Sequence, residues 1–71
     1  MNKLREERQR QKLSQFQLSL KSGVWASKIS WIENNHWNPS EVEKIRLSNA
    51  LNVSVSLLFP PESDNQEKDR R

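Results

Sequence analysis

Helix-capping sequences occur at two places in this chain, and they constrain its fold more than any other feature. Residues 14–17 (SQFQ) and residues 40–43 (SEVE) each place a serine three residues before a glutamine or a glutamate. In such a capping box, the serine hydroxyl accepts a hydrogen bond from one free amide of the first turn, and the longer side chain accepts from the amide of the serine. The sequence therefore predicts that helices begin directly after Ser14 and Ser40.

Residues that favour turns predict where the helices end. Gly23, the only glycine, suits the left-handed residue that closes a helix, and Asn52 tolerates the same conformation. Residues 2–12 contain neither Gly nor Pro and favour a first helix, and a third helix is predicted from about Trp25 to Asn34. Ser54 is expected to cap a short fifth helix that the prolines at 60 and 61 terminate. Alternation with period two is confined to a few residues near 52–56, so the fold class is all-α.

The length and the cysteine content limit the architecture and the chemistry. Seventy-one residues without cysteine form one domain at most and no disulfide framework. We expect a folded domain over residues 1–60, a disordered polar tail over 61–71, a cytoplasmic location and no membrane span. His36 alone cannot assemble a metal site. Because no nucleophile–base spacing and no glycine-rich phosphate loop occurs, we expect neither an enzyme nor a cofactor.

The charge is uneven along the chain. Seven lysines and arginines stand against three glutamates in residues 1–39, whereas the remainder is close to neutral. A basic half suggests a polyanionic partner such as nucleic acid, although a run of charges also occurs on any solvated face.

The third helix has two dissimilar sides when it is projected at about 100° per residue. We expect Ile29, Ile32, Trp25, Ala26 and Glu33 on the inner side. The outer side then carries four residues: Ser27, Ser30, Trp31 and Asn34. Short hydrogen-bonding side chains allow the close approach that the major groove of DNA requires. Lys28 flanks this outer side.

Glu33 is the one acid between Glu7 and Glu41, and an unpaired carboxylate on the inner side would be costly. Arg8 follows Leu4 by one helical turn and so shares its inward stripe. We predict that Arg8 and Glu33 pair inside the domain and join the first helix to the third. The alternative places both side chains at the rim, independent of each other.

A series of short motifs occurs along the chain: Leu13-Ser14-Gln15, Leu18, Ser22-Gly23-Val24, Ile29-Ser30, Ile32-Glu33-Asn34, Asn38-Pro39-Ser40 and Ala50-Leu51-Asn52-Val53-Ser54. In their order and spacing these motifs resemble the phage Cro and repressor family of helix-turn-helix proteins. The resemblance covers the chain from about Leu4 to Phe59.

The resemblance implies a compact five-helix domain whose third helix enters the major groove. Gln15 would then contact DNA from the start of the second helix, and groups near Ser14 and Asn34 would hold phosphates. The side chains expected near base edges are those of Ala26, Ser27, Lys28 and Trp31. The full set of expected DNA-binding residues is Ser14, Gln15, Trp25, Ala26, Ser27, Lys28, Ser30, Trp31 and Asn34. The family also usually has an arginine and a glutamate at the places of Arg8 and Glu33.

Several residues depart from the pattern of the family. Trp25 stands where serine or threonine usually caps the third helix, which weakens the cap by roughly 1 kcal/mol unless Trp25 packs on the core. Glu7, Glu41 and Lys44 occupy places that are commonly apolar, so we expect a thin core. Two further departures are Asn35, which replaces a frequent glycine, and Ala26, which brings no hydrogen bond to a base.

Three tryptophans and the fifth helix leave alternatives open. Trp25 is expected to pack on the core or its rim rather than to contact DNA. Trp37 either plugs the loop against the fourth helix or contacts a partner protomer. Trp31 is expected to face outward, toward thymine methyl groups or a partner protein, unless a tilted helix buries it. Either Leu57 or Phe59 is expected to be available for dimerisation, unless both pack on the first helix.

From these observations we expect a DNA-binding transcriptional regulator, a repressor rather than an activator, that binds double-stranded DNA as a homodimer. An antitoxin-like or anti-repressor module that binds a protein partner is the first alternative. A basic helical protein that binds RNA is the second. Readers of single-stranded RNA usually display several aromatic side chains, whereas here we expect only Trp31 to face plainly outward.

Overall fold

The computed structural model describes residues 2–61, and this part of the chain folds into five α-helices. They are α1 (Leu4–Arg10), α2 (Gln15–Ser22), α3 (Ala26–Glu33), α4 (Glu41–Leu51) and α5 (Val55–Leu58). The prediction of an all-α chain is confirmed for residues 2–61, although α1 and α3 are shorter than predicted. The predicted disordered tail lies, apart from Pro61, outside the described residues. No helix within residues 2–61 has the length and apolar character that a membrane span requires.

Both predicted capping boxes are present. The Ser14 hydroxyl accepts from the amide of Gln17 at 3.0 Å, and the Gln17 side chain accepts from the amide of Ser14 at 2.8 Å. The corresponding distances between Ser40 and Glu43 are 3.2 and 2.9 Å. Ser54 caps α5 with its hydroxyl, as predicted. These bonds satisfy amides that have no partner inside a helix, and they fix where α2, α4 and α5 begin.

Left-handed residues close the helices and turn the chain. Gly23 ends α2 with φ of 76° and Asn52 ends α4 with φ of 58°, as predicted. Asn35 also adopts a left-handed conformation (φ 62°) in the loop after α3. Lys12 (φ 59°) does the same after α1, and this turn explains why α1 stops before the predicted residue 12.

One apolar core lies between the helices. α2 packs against α3 and α4, α4 also packs against α5, and α1 packs against α3. The buried apolar side chains come from every helix and from the α2–α3 connection: Leu4, Leu18, Val24, Ile29, Ile32, Leu47, Leu51 and Leu58. The start of the chain closes this core, because the amide of Lys3 donates to the carbonyl of Leu58 at 2.8 Å.

The charged residues at places where an apolar residue was expected are compensated by neighbours. Glu7 pairs with Arg10 at 2.6 Å, and Glu41 lies 3.7 Å from the ammonium of Lys44. Lys44 also lies over the ring of Phe59, 5.9 Å from its centroid. The core is therefore thin but bordered by ion pairs.

We predict that Gly23→Ala lowers the free energy of unfolding by about 1–2 kcal/mol, the usual cost of a left-handed residue that carries a Cβ. An added Cβ would also lie 3.3 Å from a guanidinium nitrogen of Arg46. Gly23→Asn is the matched control, because it adds the same Cβ but tolerates the left-handed conformation. Urea denaturation followed by circular dichroism measures both variants. Equal losses would attribute the cost to crowding against Arg46 instead of to the backbone.

Candidate functional site

The carboxylate of Glu33 is fully buried at the end of α3 and accepts hydrogen bonds from three side chains. Arg8 donates to it twice, from Nε to Oε2 at 2.6 Å and from Nη2 to Oε1 at 3.2 Å. Arg5 donates from Nε at 3.3 Å and Gln15 from Nε2 at 3.2 Å, both to Oε1. The predicted pair of Arg8 and Glu33 is thus present inside the domain. It belongs to a larger cluster, here called the Glu33 cluster, formed by Arg5, Arg8, Gln15 and Glu33.

The charge of Glu33 is stabilised by these partners. Burial alone would raise its pKa, but the hydrogen bonds from Arg8, Gln15 and Arg5 and the positive charge of Arg8 together lower the pKa below its ordinary value. Arg8 also donates from Nη1 to the carbonyl of Leu13 at 2.8 Å. The cluster therefore joins α1, the start of α2 and the end of α3 through one buried carboxylate.

The cluster continues to the C-terminal end of α3 at Asn34. Arg5 donates from Nη2 to Oδ1 of Asn34 at 2.8 Å, and Asn34 donates from Nδ2 to the carbonyl of Ser30 at 2.8 Å. The side-chain amide of Asn34 is exposed but fixed in orientation. A polar group near the expected phosphate contacts is thus held in place before any ligand arrives.

The outer side of α3 carries Ser27 and Trp31, which are exposed as predicted. Trp31 is 47% exposed, and its ring packs against that of Trp37, with 6.2 Å between centroids and 36° between planes. Trp37 is in turn fixed by a hydrogen bond from its Nε1 to Oε1 of Glu43 at 3.3 Å. Trp37 is thus joined to α4 by a hydrogen bond while part of its ring is left exposed. Its contact with a partner protomer stays a prediction.

Lys28 turns toward α4 instead of the outer side of α3. Its ammonium lies 2.8 Å from Oε2 of Glu43 and 4.7 Å from the centroid of the Trp37 ring. The hydrogen bond from Lys28, followed by the one from the amide of Ser40, lowers the pKa of Glu43. In the free protein, the single basic residue of α3 is therefore paired.

The expectation that Trp25 packs on the core or its rim is wrong, because Trp25 is 78% exposed. It immediately precedes α3 in an extended conformation (φ −58°, ψ 145°) and makes no side-chain cap. A projection at 100° per residue does not apply to a residue outside the helix. The related expectation that only Trp31 faces plainly outward is also wrong, since Trp37 is 42% exposed as well.

The remaining expected DNA-binding residues lie on two helix starts and on α3. Ser14 is exposed at the start of α2, whereas Gln15 is half-buried against Glu33. Ala26 begins α3 and is half-buried, as is Ser30. Gln15 thus has a structural partner that the sequence argument did not assign to it.

In α5 and its neighbourhood the two apolar candidates for dimerisation differ. Leu57 is 42% exposed, whereas Phe59 is half-buried and packs against the core. Leu57 is therefore the residue of this pair that is available to a partner.

A cleft of about 530 Å³ lies beside α3. It is lined by Gly23, Val24, Trp25, Ser27, Lys28, Trp31, Ser40, Val42, Glu43 and Arg46. Its wall combines exposed apolar groups, chiefly Trp25 and Val42, with the ion pair of Lys28 and Glu43. Such a wall can bury an apolar group of a partner.

Sequence reasoning missed the roles of Arg5 and Glu43. Arg5 precedes Arg8 by three residues and so lies on the same side of α1, a signal that was available. Glu43 was assigned only to its capping box, and nothing in the sequence relates it to Lys28, which comes fifteen residues earlier.

No model of a known protein family matches this chain, and no curated protein matches it either. The resemblance to the Cro and repressor family therefore rests on the residues themselves.

We predict that Arg8→Ala lowers the free energy of unfolding by roughly 3–5 kcal/mol, because it leaves the buried carboxylate of Glu33 without its main partner. Glu33→Ala should be similarly costly, since it leaves Arg8 unpaired. Glu6→Ala is the control, because Glu6 is exposed and makes only a 3.8 Å ion pair with Lys3. Thermal melting measures all three. Wild-type melting temperatures in both cluster variants would contradict the role of the cluster.

We predict that the folded state loses stability in acid through Glu33. Its pKa in the folded protein lies below the ordinary value of 4.5. The stabilisation is therefore complete above that pH and is lost as the pH falls through the folded pKa. Urea denaturation from about pH 6 to about pH 3 measures the effect. Glu33→Gln should show a shallower pH dependence, and a slope equal to that of the wild type would assign the acid sensitivity to other carboxylates.

Proposed function

We propose that this protein binds double-stranded DNA in a sequence-specific manner through α3 and acts as a transcriptional repressor. The observation that carries the proposal is the two-sided character of α3. Its inner side is fixed by buried Ile29, Ile32 and the Glu33 cluster, whereas Ser27 and Trp31 on the outer side are exposed. A helix that inserts into the major groove needs this combination of a rigid support and an open face.

The arrangement of α2 and α3 agrees with the helix-turn-helix to which the sequence motifs point. Both helices have eight residues, and a short connection through the left-handed Gly23 joins them. In helix-turn-helix proteins the first of the two helices crosses the DNA backbone and the second enters the groove. We assign these roles to α2 and α3, respectively.

Contacts with phosphates would fix the position of α3 on the duplex. Ser14 at the start of α2 and Asn34 at the end of α3 are exposed polar groups next to the Glu33 cluster, because Gln15 follows Ser14 and Arg5 donates to Asn34. Lys12 lies in the turn that precedes α2, and Lys21 lies in the last turn of α2. Both are exposed and form none of the ion pairs found within residues 2–61. These cations supply the positive charge that a phosphate backbone attracts.

A homodimer would place two copies of α3 about one turn of DNA apart, in successive major grooves. Exposed Leu57 of α5 is the residue that we assign to the dimer contact. A repressor of this kind binds an operator with two related half-sites.

Protein binding is a second candidate function, and one observation favours it. Trp25 and Val42 are 78% and 58% exposed and line the cleft beside α3, and exposed apolar groups that are contiguous usually mark an interaction site. An antitoxin-like or anti-repressor protein would use this surface for a protein partner. Because three tryptophans are exposed, single-stranded RNA also belongs among the ligands that the experiment must compare.

We predict that the protein enriches particular duplexes from a random-sequence DNA pool, and that its affinity for them falls steeply as salt rises because phosphate contacts release counterions. Trp31→Ala should weaken binding to an enriched duplex by about 1–3 kcal/mol and narrow its preference over a scrambled duplex. Ile45→Ala is the matched control, because it also removes an exposed apolar side chain (50% exposed) but lies on α4.

Titration of each variant by fluorescence anisotropy, with circular dichroism as the folding control, gives these values. Enrichment of no duplex, or displacement of the duplex by an equal concentration of single-stranded RNA, would contradict the proposal. If Trp31→Ala binds the enriched duplex normally, α3 does not contact the bases through this face.

A further inference from the structure

The outer side of α3 exposes the ring of Trp31, whereas Lys28, the one cation of α3, is directed toward α4. Oε2 of Glu43 lies 2.8 Å from the ammonium of Lys28, and its Oε1 accepts from the amide of Ser40 at 2.9 Å and from Trp37 at 3.3 Å. Glu43 is therefore fixed by the capping box of α4, and it draws Lys28 toward α4. The Trp37 ring adds a cation–π contact to Lys28 on the same side.

The ring of Trp31 packs against that of Trp37. Trp37 is itself fixed by the hydrogen bond that its Nε1 donates to Glu43. Almost half of Trp31 nevertheless remains exposed beside Ser27. Glu43 of α4 thus supports the exposed ring of Trp31 through Trp37. It also keeps the ammonium group of Lys28 away from the outer side of α3.

The bases of DNA respond differently to these two kinds of side chain. Guanine is recognised in the major groove chiefly by Arg or Lys, which donate to its O6 and N7, whereas the C5-methyl group of thymine is recognised by apolar contact. A face with an exposed indole and a paired lysine is therefore suited to apolar contact with the methyl group of thymine.

We propose that the outer side of α3 recognises the C5-methyl groups of thymine through Trp31, and that Glu43 sets this specificity by keeping Lys28 from guanine. The inference rests on the proposed function, since it names the chemical group that α3 reads. It makes Glu43 a positioning residue, because it acts through Lys28 and Trp37 and does not touch the DNA.

The first experiment uses duplexes that the wild-type protein enriches from a random-sequence pool. Each thymine of an enriched duplex is replaced in turn by uracil, which forms the same base pair but lacks the methyl group. At one or more positions per half-site we expect affinity to fall about fourfold, the effect of one buried methyl-sized group. Trp31→Ala should bind the thymine and uracil duplexes equally, whereas the Ile45→Ala control should retain the difference.

The second experiment uses Glu43→Gln, whose side-chain oxygen can still accept from Ser40 and Trp37 but which no longer pairs with Lys28. Enrichment from the same pool should now yield sites with added G·C pairs, and Lys28→Ala introduced into this variant should remove that preference. In the wild-type protein, Lys28→Ala should weaken the enriched and the scrambled duplex about equally, because it removes one positive charge. The preference between the two duplexes should change less than about twofold, below the roughly fivefold or greater loss expected of a good base contact.

The outcomes separate this inference from the function on which it rests. Binding of enriched duplexes without any response to uracil would overturn the role of thymine methyl groups and leave the proposed function intact. A loss of preference for the enriched over the scrambled duplex in wild-type Lys28→Ala, or unchanged sites for Glu43→Gln, would overturn the role of Glu43. Enrichment of no duplex would overturn both the proposed function and the inference.

Discussion

A buried carboxylate organises this small domain. Glu33 sits at the end of α3 with its side chain removed from water, and Arg5, Arg8 and Gln15 bring α1 and the start of α2 to it. The desolvation of a charge is costly, so such a group contributes only when its hydrogen-bonding capacity is filled. Here the carboxylate accepts four hydrogen bonds, and removing Arg8 would leave it without its main partner. The orientation of α3 relative to α1 and α2 therefore depends on this cluster as well as on apolar packing.

The contribution of the Glu33 cluster matters because the apolar core is thin. Eight buried apolar side chains support about sixty residues, and a core of this size leaves a small margin of stability. The caps at Ser14, Ser40 and Ser54 and the left-handed residues Gly23 and Asn52 reduce the number of ways in which the helices can begin and end. The Glu33 cluster then fixes how they meet. Ser27 and Trp31 on the outer side of α3 take no part in either task, which leaves these two residues open to a ligand.

The sequence predicted most of the fold because its signals are local. Capping boxes, a single glycine and the prolines act on residues a few positions away, so the order of the helices followed directly. The partner of Arg8 was found because Glu33 was the one acid within reach on the inner side of α3. The direction of Trp25 was predicted wrongly because a helical projection was extended to a residue with an extended backbone. The pairing of Lys28 with Glu43 depends on how α3 and α4 pack, and periodicity along one helix carries no information about that.

The contact between the rings of Trp31 and Trp37 has an optical consequence. Two indole chromophores with centroids 6.2 Å apart and planes inclined by 36° are close enough for their electronic transitions to couple. Such coupling gives the folded protein a paired signal in ultraviolet circular dichroism that neither ring would produce alone. Because Trp31 lies on the exposed side of α3 and Trp37 in the loop that follows, the signal depends on both the distance and the relative orientation of helix and loop. The protein thus carries, without any label, an intrinsic optical probe of the geometry of its candidate binding face.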